Sequence, residues 1–298
     1  MSIQRSGRAV TIAVLMLAAC RGERKPTHFD TAGVRRADSV AAIVSEDTTS
    51  TWDAAVGPLL AVTTDSGSNT VSVVGGTDSI PGVRSPLMLD LFGRSGLVGT
   101  SILAPGASDA HGDCAAWPVS HISAIKSKWS VGLESGRALP IFLDSLEAMR
   151  STDSSQFVTN VIRLAADLKV THDSIFSSVP FVVQRAYRFR TENIEGIVAL
   201  VQRNIPTEAN PRSDYTTFIA ERPIGANEPY HIAYQKRTAG GDDQTVVVSV
   251  LAAVTLVRTH QPILIVRYEM AEGEMVGFIE RIHPGAWRAT WTSDYSGC

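Results

Sequence analysis

The sequence predicts an α+β fold, mainly antiparallel β-sheet with a short helical segment in the middle, and three observations carry that expectation. Short runs rich in β-branched and aromatic residues recur on both sides of the centre, bounded by glycine, proline, asparagine and aspartate. Apolar residues at the helical period are confined to about residues 144–169. The links between the later runs are short enough to force neighbouring strands antiparallel.

In chain order, residues 59–63 and 70–74 form a strand pair around Asp65, Ser66, Gly67, Ser68 and Asn69, and residues 86–92 and 97–103 repeat the pattern around Gly93, Arg94, Ser95 and Gly96. A polar loop, 106–113, delivers Cys114, and strand-like pieces follow at 117–125 and 129–133. Asp144 with Glu147, and Asp153 with Gln156, have capping-box spacing. Phe157, Val158, Val161, Ile162, Ala165 and Leu168 then recur on one face, so two helices or one broken helix are expected, packed on a sheet. Strands return at 179–189, 196–203, 215–221, 230–238, 245–258, 262–270, 274–283 and 287–293 as a C-terminal meander, open or closed. In the last of these Trp287, Ala289 and Trp291 alternate with Arg288, Thr290 and Thr292, which predicts one buried and one wet face. No internal period of 20 to 50 residues stands out, although two β-rich halves around a helical middle permit an old duplication.

The amino terminus supplies an address. Arg5 and Arg8 precede an apolar run, 9–19, which is too short to span a bilayer and ends in Leu17, Ala18, Ala19 and Cys20. This stretch resembles the lipobox of bacterial lipoproteins, and the resemblance covers the first 20 residues only. It implies a cleaved signal peptide, 1–19, and a diacylglycerol on Cys20 that anchors the mature chain at about 0.8 kcal/mol per buried methylene. It also implies a place in the bacterial cell envelope, and Arg21, where an aspartate would signal inner-membrane retention, favours the outer membrane, facing periplasm or exterior. Residues 20–51 are mixed in charge and weak in periodicity, and read as a tether reaching at most about 100 Å. A single globular domain is expected over 52–298, β-rich at 52–140, helical at 141–176 and a β-meander at 177–298.

With lipidation taking Cys20, Cys114 and Cys298 are the only intramolecular disulfide pair left in an oxidising compartment. Such a bridge would close nearly the whole folded region and stabilise it by roughly 5 kcal/mol in the chain-entropy model. Without residues 1–19, which carry two arginines and no acid, the 27 basic and 30 acidic residues become 25 and 30, a net charge of −5. That balance speaks against nucleic acid as a partner, and leaves the acyl chains rather than a basic patch as the membrane contact.

No motif assigns a reaction, a metal or a cofactor. Gly93, Gly96 and Gly99 lack dinucleotide-fingerprint spacing, and no Lys-Ser or Lys-Thr closes a P-loop, so they read as a hairpin turn. His111, Gly112, Asp113 and Cys114 gather an imidazole, a carboxylate and a sulfur, but a cysteine nucleophile needs a free, low-pKa thiol, and the stretch reads as a loop framing the disulfide. Of the histidines (His28, His111, His121, His172, His231, His260 and His283) no two have helical metal-pair spacing, although His231 and His283 could meet across a sheet. Ser95 lies in no Gly-x-Ser-x-Gly elbow. Glu192 with Glu195, or Glu269 with Glu280, would be the carboxylate pairs of a hydrolase, and each reads more simply as solvated charge. Trp117, Trp129, Trp287 and Trp291 are candidates for an aromatic ligand cleft near the helical middle, with core packing the competing explanation. The expected function is therefore a non-catalytic binding or scaffold domain for an envelope protein or small molecule. The rivals are an envelope hydrolase assembled in three dimensions, and a carrier of an apolar ligand inside a hollow barrel.

Overall fold

The structure, a computed structural model, describes residues 59–63, 69–75, 85–105, 116–125, 127–168, 175–207, 211–241 and 243–293. The signal and tether stretches, the 111–114 loop and all three cysteines lie outside the described residues.

The first six strands are β1 (Leu59–Val62), β2 (Thr70–Gly75), β3 (Leu87–Gly93), β4 (Gly96–Leu103), β5 (Ala116–His121) and β6 (Val131–Glu134). They pair antiparallel in the order β1-β2-β5-β4-β3-β6, and β6 returns to β1, so the sheet closes into a barrel without free edges. Side-chain alternation sends Ala61, Leu89, Leu91, Val98 and Leu103 inward, where Trp117 and Trp129 join them to fill the interior. Gly132 also faces that space, and a Cβ there would sit 3.2 to 3.4 Å from Leu89, Ala61 and Leu91. The turn between β3 and β4 is a hairpin, as its glycines predict. Gly96 has φ +88°, and a Cβ at Gly93 would come within 2.3 Å of the Lys128 carbonyl oxygen.

Two short strands, β7 (Ala138–Ile141) and β8 (Leu143–Ser145), start two further sheets. A 3₁₀ turn at Leu146–Ala148 and the helix α1 (Ser151–Ala166) follow. Then come β9 (Val182–Arg190), β10 (Ile194–Ile205), β11 (Arg212–Pro223) and β12 (His231–Gly240), an antiparallel meander extended by β8 into a five-stranded sheet, β12-β11-β10-β9-β8. The remaining strands, β13 (Val247–Leu256), β14 (Pro262–Met270), β15 (Gly273–His283) and β16 (Ala286–Thr292), make a second meander. β7 extends it into the sheet β16-β15-β14-β13-β7.

Three apolar interfaces stack these parts in layers. The central sheet, β7 with β13–β16, turns Val248, Leu264, Val266 and Ile279 against Tyr187, Phe189, Val198 and Ile219 of the helix-side sheet, β8–β12. Its other face lays Ala252, Val254, Ile263, Ile265 and Phe278 on Leu60, Phe92, Val131 and Leu133, the outward-facing residues of the barrel. The far face of the helix-side sheet takes α1 through Phe157, Val161, Leu164 and Ala165, which meet Ala186, Ala199 and Phe218.

Several expectations change. Among the described residues α1 and the 3₁₀ turn are the only helical elements, so the fold is largely β rather than a balanced α+β. The C-terminal meander is two meanders in two sheets, and this repeated arrangement lies between 182–240 and 247–292, not between the two halves of the chain. The helix expected from Asp144 is absent because residues 143–145 pair with β9, Asp144 standing opposite Arg188. The second capping box does not form either. Arg150 occupies the N-cap without a side-chain bond, and Asp153 lies in the first turn, where a carboxylate favours the helix dipole. The alternation expected in the last strand holds in burial, Trp287, Ala289 and Trp291 being buried and Arg288 exposed, but a bulge divides the two tryptophans between two cores. Phe278 pairs with Trp291 but Ile279 with Ala289, so Thr290 is the extra residue, and the switch sends Trp287 into the inter-sheet core and Trp291 against the barrel.

Phe278 contacts Trp291 at the barrel interface, with ring centroids 4.9 Å apart. Phe278→Ala should lower unfolding free energy by about 3–5 kcal/mol, read as a shift of the urea midpoint at constant m-value. A loss below about 1 kcal/mol would mean that this interface does not hold the barrel to the sheets.

Candidate functional site

The outer face of the helix-side sheet is covered by α1 over one part only. In the ladder, Ala186, Ala199 and Phe218 form one row beneath the helix, followed by Arg188, Ile197 and Ala220, then by Arg190, Glu195 and Arg222. The rows turn from small and apolar to charged as the helix ends its cover. Two adjoining hollows of about 300 and 450 Å³ open along this boundary and share Arg188, Arg222 and Tyr230. Helix α1 contributes Asp153, Gln156, Asn160 and Arg163 to the first, and Phe142, Asp144, Arg190 and Glu195 line the second.

Both shared arginines are held in place. Arg188 donates from Nε and Nη2 to Asp144 Oδ2, at 3.2 and 2.5 Å, and its guanidinium lies 5.4 Å from the centre of the Phe157 ring. Arg222 donates from Nε and Nη2 to Glu195 Oε2, at 3.0 and 2.8 Å, and lies 4.5 Å from the Tyr230 ring centre. The hydrogen bond to Glu195 pushes the Arg222 pKa above its ordinary value. Burial raises the Tyr230 hydroxyl, the charge of Arg222 opposing and that of Glu195 adding, so the phenol stays protonated at neutral pH. Phe142 stands 60% exposed at the mouth. The groove thus joins fixed donors, acceptors and an aromatic surface without a deep apolar pocket.

Two other charged clusters are buried and serve the fold. Asp214, fully buried, accepts from Arg203 through Oδ2 and from Arg237 Nε through Oδ1 at 2.9 Å. Arg203 also donates to the Phe176 carbonyl and lies over the Phe181 ring, which ties the segment after α1 to the sheet. Glu221, 2% exposed, links the two sheets by accepting from Arg281, from Trp287 Nε1 at 2.7 Å and from the Gly285 amide at 2.7 Å. Gly285 has φ +76°, and a Cβ there would also meet His231, so the tight turn that presents this amide depends on glycine.

Of the described candidates for a site named from the sequence, Glu195 alone lines the groove. Cys20, Cys114, Cys298, His28, His111 and His172 lie outside the described residues. Trp117, Trp129, Trp287 and Trp291 are all buried in cores, and none lines the groove. His231 and His283 belong to different sheets, and among the described residues no three histidine, aspartate, glutamate or cysteine side chains gather as a metal site. Glu195 is tied to Arg222, while Glu192 sits in the preceding turn. Glu269 stands opposite Glu274 and Glu280 opposite Ile263, six ladder positions apart, so they are no pair. Ser95 bonds Ser127 in the hairpin region. The groove residues Arg188, Arg190 and Arg222 left one trace in the sequence, arginines at alternate or edge positions of strands, which alternation alone assigns to solvent.

Compared with known proteins, the chain matches no family model, no curated protein and no solved structure at a significant level.

Burial raises Glu221 first, but its hydrogen bonds outweigh that and hold the carboxyl below its usual 4.5. A lowered folded-state pKa stabilises the protein above about pH 4.5 and loses that stabilisation as pH falls through the folded value. Glu221→Gln should therefore cost about 3 kcal/mol at pH 7 and show a shallower decline in acid than the parent. Equal acid slopes in urea unfolding would show that Glu221 does not couple folding to pH.

Proposed function

We propose that the protein is a lipid-anchored binding module of the bacterial envelope, tethered through Cys20 and presenting the groove between α1 and the helix-side sheet to a ligand. The observation that carries the reading is the convergence of Arg188, Arg222 and Tyr230 in one open groove, each guanidinium already fixed by a carboxylate and an aromatic ring. Fixing donors in advance reduces the entropy lost when a ligand is bound. Membrane attachment rests on the acyl chains. Among the described residues no helix is long and apolar enough to cross a bilayer. The Cys114–Cys298 bridge and a single domain over 52–298 belong to the same reading, and the partner is a small molecule or an envelope protein rather than nucleic acid.

The carrier alternative needs a hollow barrel, whereas Trp117, Trp129, Leu89 and Leu91 occupy this one. One observation favours the hydrolase alternative. Asp144, Asp153 and Glu195 reach the same groove, although Asp144 and Glu195 are each committed to an arginine.

Cys20→Ser should move the protein from the membrane fraction to the soluble envelope fraction and abolish labelling by a palmitate analogue. Unchanged fractionation with unchanged labelling would exclude the anchor. Native mass spectrometry of the full-length protein released from detergent should show a mass above that of the denatured chain when ligand is retained. The denatured, unreduced mass should lie two hydrogens below the reduced one, and two free thiols would exclude the bridge.

A further inference from the structure

We infer that the ligand of the groove is a carbohydrate, bound as a chain of several sugar units. This rests on the groove being a ligand site and names the class of ligand. The argument lies in which atoms of the two ion pairs are left open. Asp144 engages Arg188 through Oδ2 alone, and Glu195 engages Arg222 through Oε2 alone. Among the described residues Asp144 Oδ1, Glu195 Oε1 and Arg188 Nη1 make no hydrogen bond. Each pair keeps a carboxylate acceptor open, and Arg188 keeps one guanidinium nitrogen open as a donor.

A phosphate or carboxylate ligand needs donors only, and an open carboxylate oxygen would repel it. A hydroxyl both donates and accepts, so neighbouring hydroxyls on a sugar ring can satisfy an arginine N–H and a carboxylate oxygen together. Gln156 and Asn160 add further mixed donor and acceptor groups. The exposed Phe142 offers a ring face to the C–H side of a pyranose. The two hollows adjoin and share three residues, so the site is an open run that suits consecutive units rather than one enclosed sugar.

The pairs are accessible, with Arg188 46% and Arg222 32% exposed at the side chain, and exposed ion pairs contribute little to stability. Asp144→Asn and Glu195→Gln should therefore leave thermal unfolding nearly unchanged while removing an open carboxylate oxygen. The test uses the full-length protein in detergent, titrated calorimetrically with cellohexaose and chitohexaose as neutral probes, and with hexagalacturonate and inorganic phosphate as anionic ones. At least one neutral hexamer should bind, phosphate should not compete, and each variant should weaken binding by about tenfold. Co-sedimentation with insoluble cell-wall glycan, reversed by the soluble hexamer, would assign a wall polymer as the source. Binding of the hexamer without co-sedimentation would assign a free oligosaccharide, and both outcomes uphold the inference. Absence of binding by either neutral hexamer, binding only of the anionic probes, or full affinity in both variants would overturn it. A retained ligand of another kind in the native mass would leave the binding module standing and overturn the carbohydrate alone.

Discussion

Burial of the central sheet on both faces is the constraint on which the rest of the molecule depends. Strand β13 reads Val-Val-Ser-Val-Leu-Ala-Ala-Val-Thr-Leu and is buried over nearly its whole length. A strand of that kind has no solvated side and is stable only between two other apolar surfaces. The barrel supplies one from the outward residues of β1, β3 and β6, and the helix-side sheet supplies the other. Bulges at Leu251 and Thr290 shift the side-chain alternation, so that each outer strand of the meander serves both interfaces.

The groove follows from the same layering one step outward. Once the helix-side sheet has given one face to the centre, its other face needs cover, and α1 provides it. The helix covers only part of that face, a hollow running along its flank from Asp153 to Arg163, and the strand residues beyond it are polar and satisfy one another. Arg188 with Asp144 and Arg222 with Glu195 do so, and an accessible charged shelf results beside a helix rich in amides and hydroxyls.

Local pattern exposed most of the strands, because β-branched runs between Gly, Pro and Asn turns are a local property. Pro262–Met270 is a strand with the bounds the sequence suggests, and the Gly93–Gly96 turn is the hairpin its glycines require. What was hidden depends on distant partners. Asp144 and Glu147 carry a helix-start pattern, yet pairing with Arg188 and Tyr187 of β9 draws residues 143–145 into a strand. Strands of four and three residues, as in Ala138–Ile141 and Leu143–Ser145, are too short for a period to register. Trp287 and Trp291 obey a simple alternation on paper, and only the bulge separates them. The groove was invisible because each of its residues is unremarkable on its own strand, and the ladder rows alone bring Arg190, Glu195 and Arg222 side by side.

The β3–β4 turn fastens both sheets at their shared edge. The Arg94 carbonyl accepts from the Leu143 amide of β8, and Arg94 Nε donates to the Val250 carbonyl of β13, 156 residues away in sequence. β7 pairs with the same strand across a gap of 112 residues, Ile141 standing opposite Ala253. Closing loops of this size costs entropy before any contact compensates for it, which makes such pairings slow to form. As the chain is made from its amino terminus, its barrel and the first meander can assemble while the central strands are still arriving. Until β13 docks, the apolar outer wall of the barrel remains uncovered. The molecule therefore passes through a window of aggregation risk whose length is set by the arrival of its last four strands.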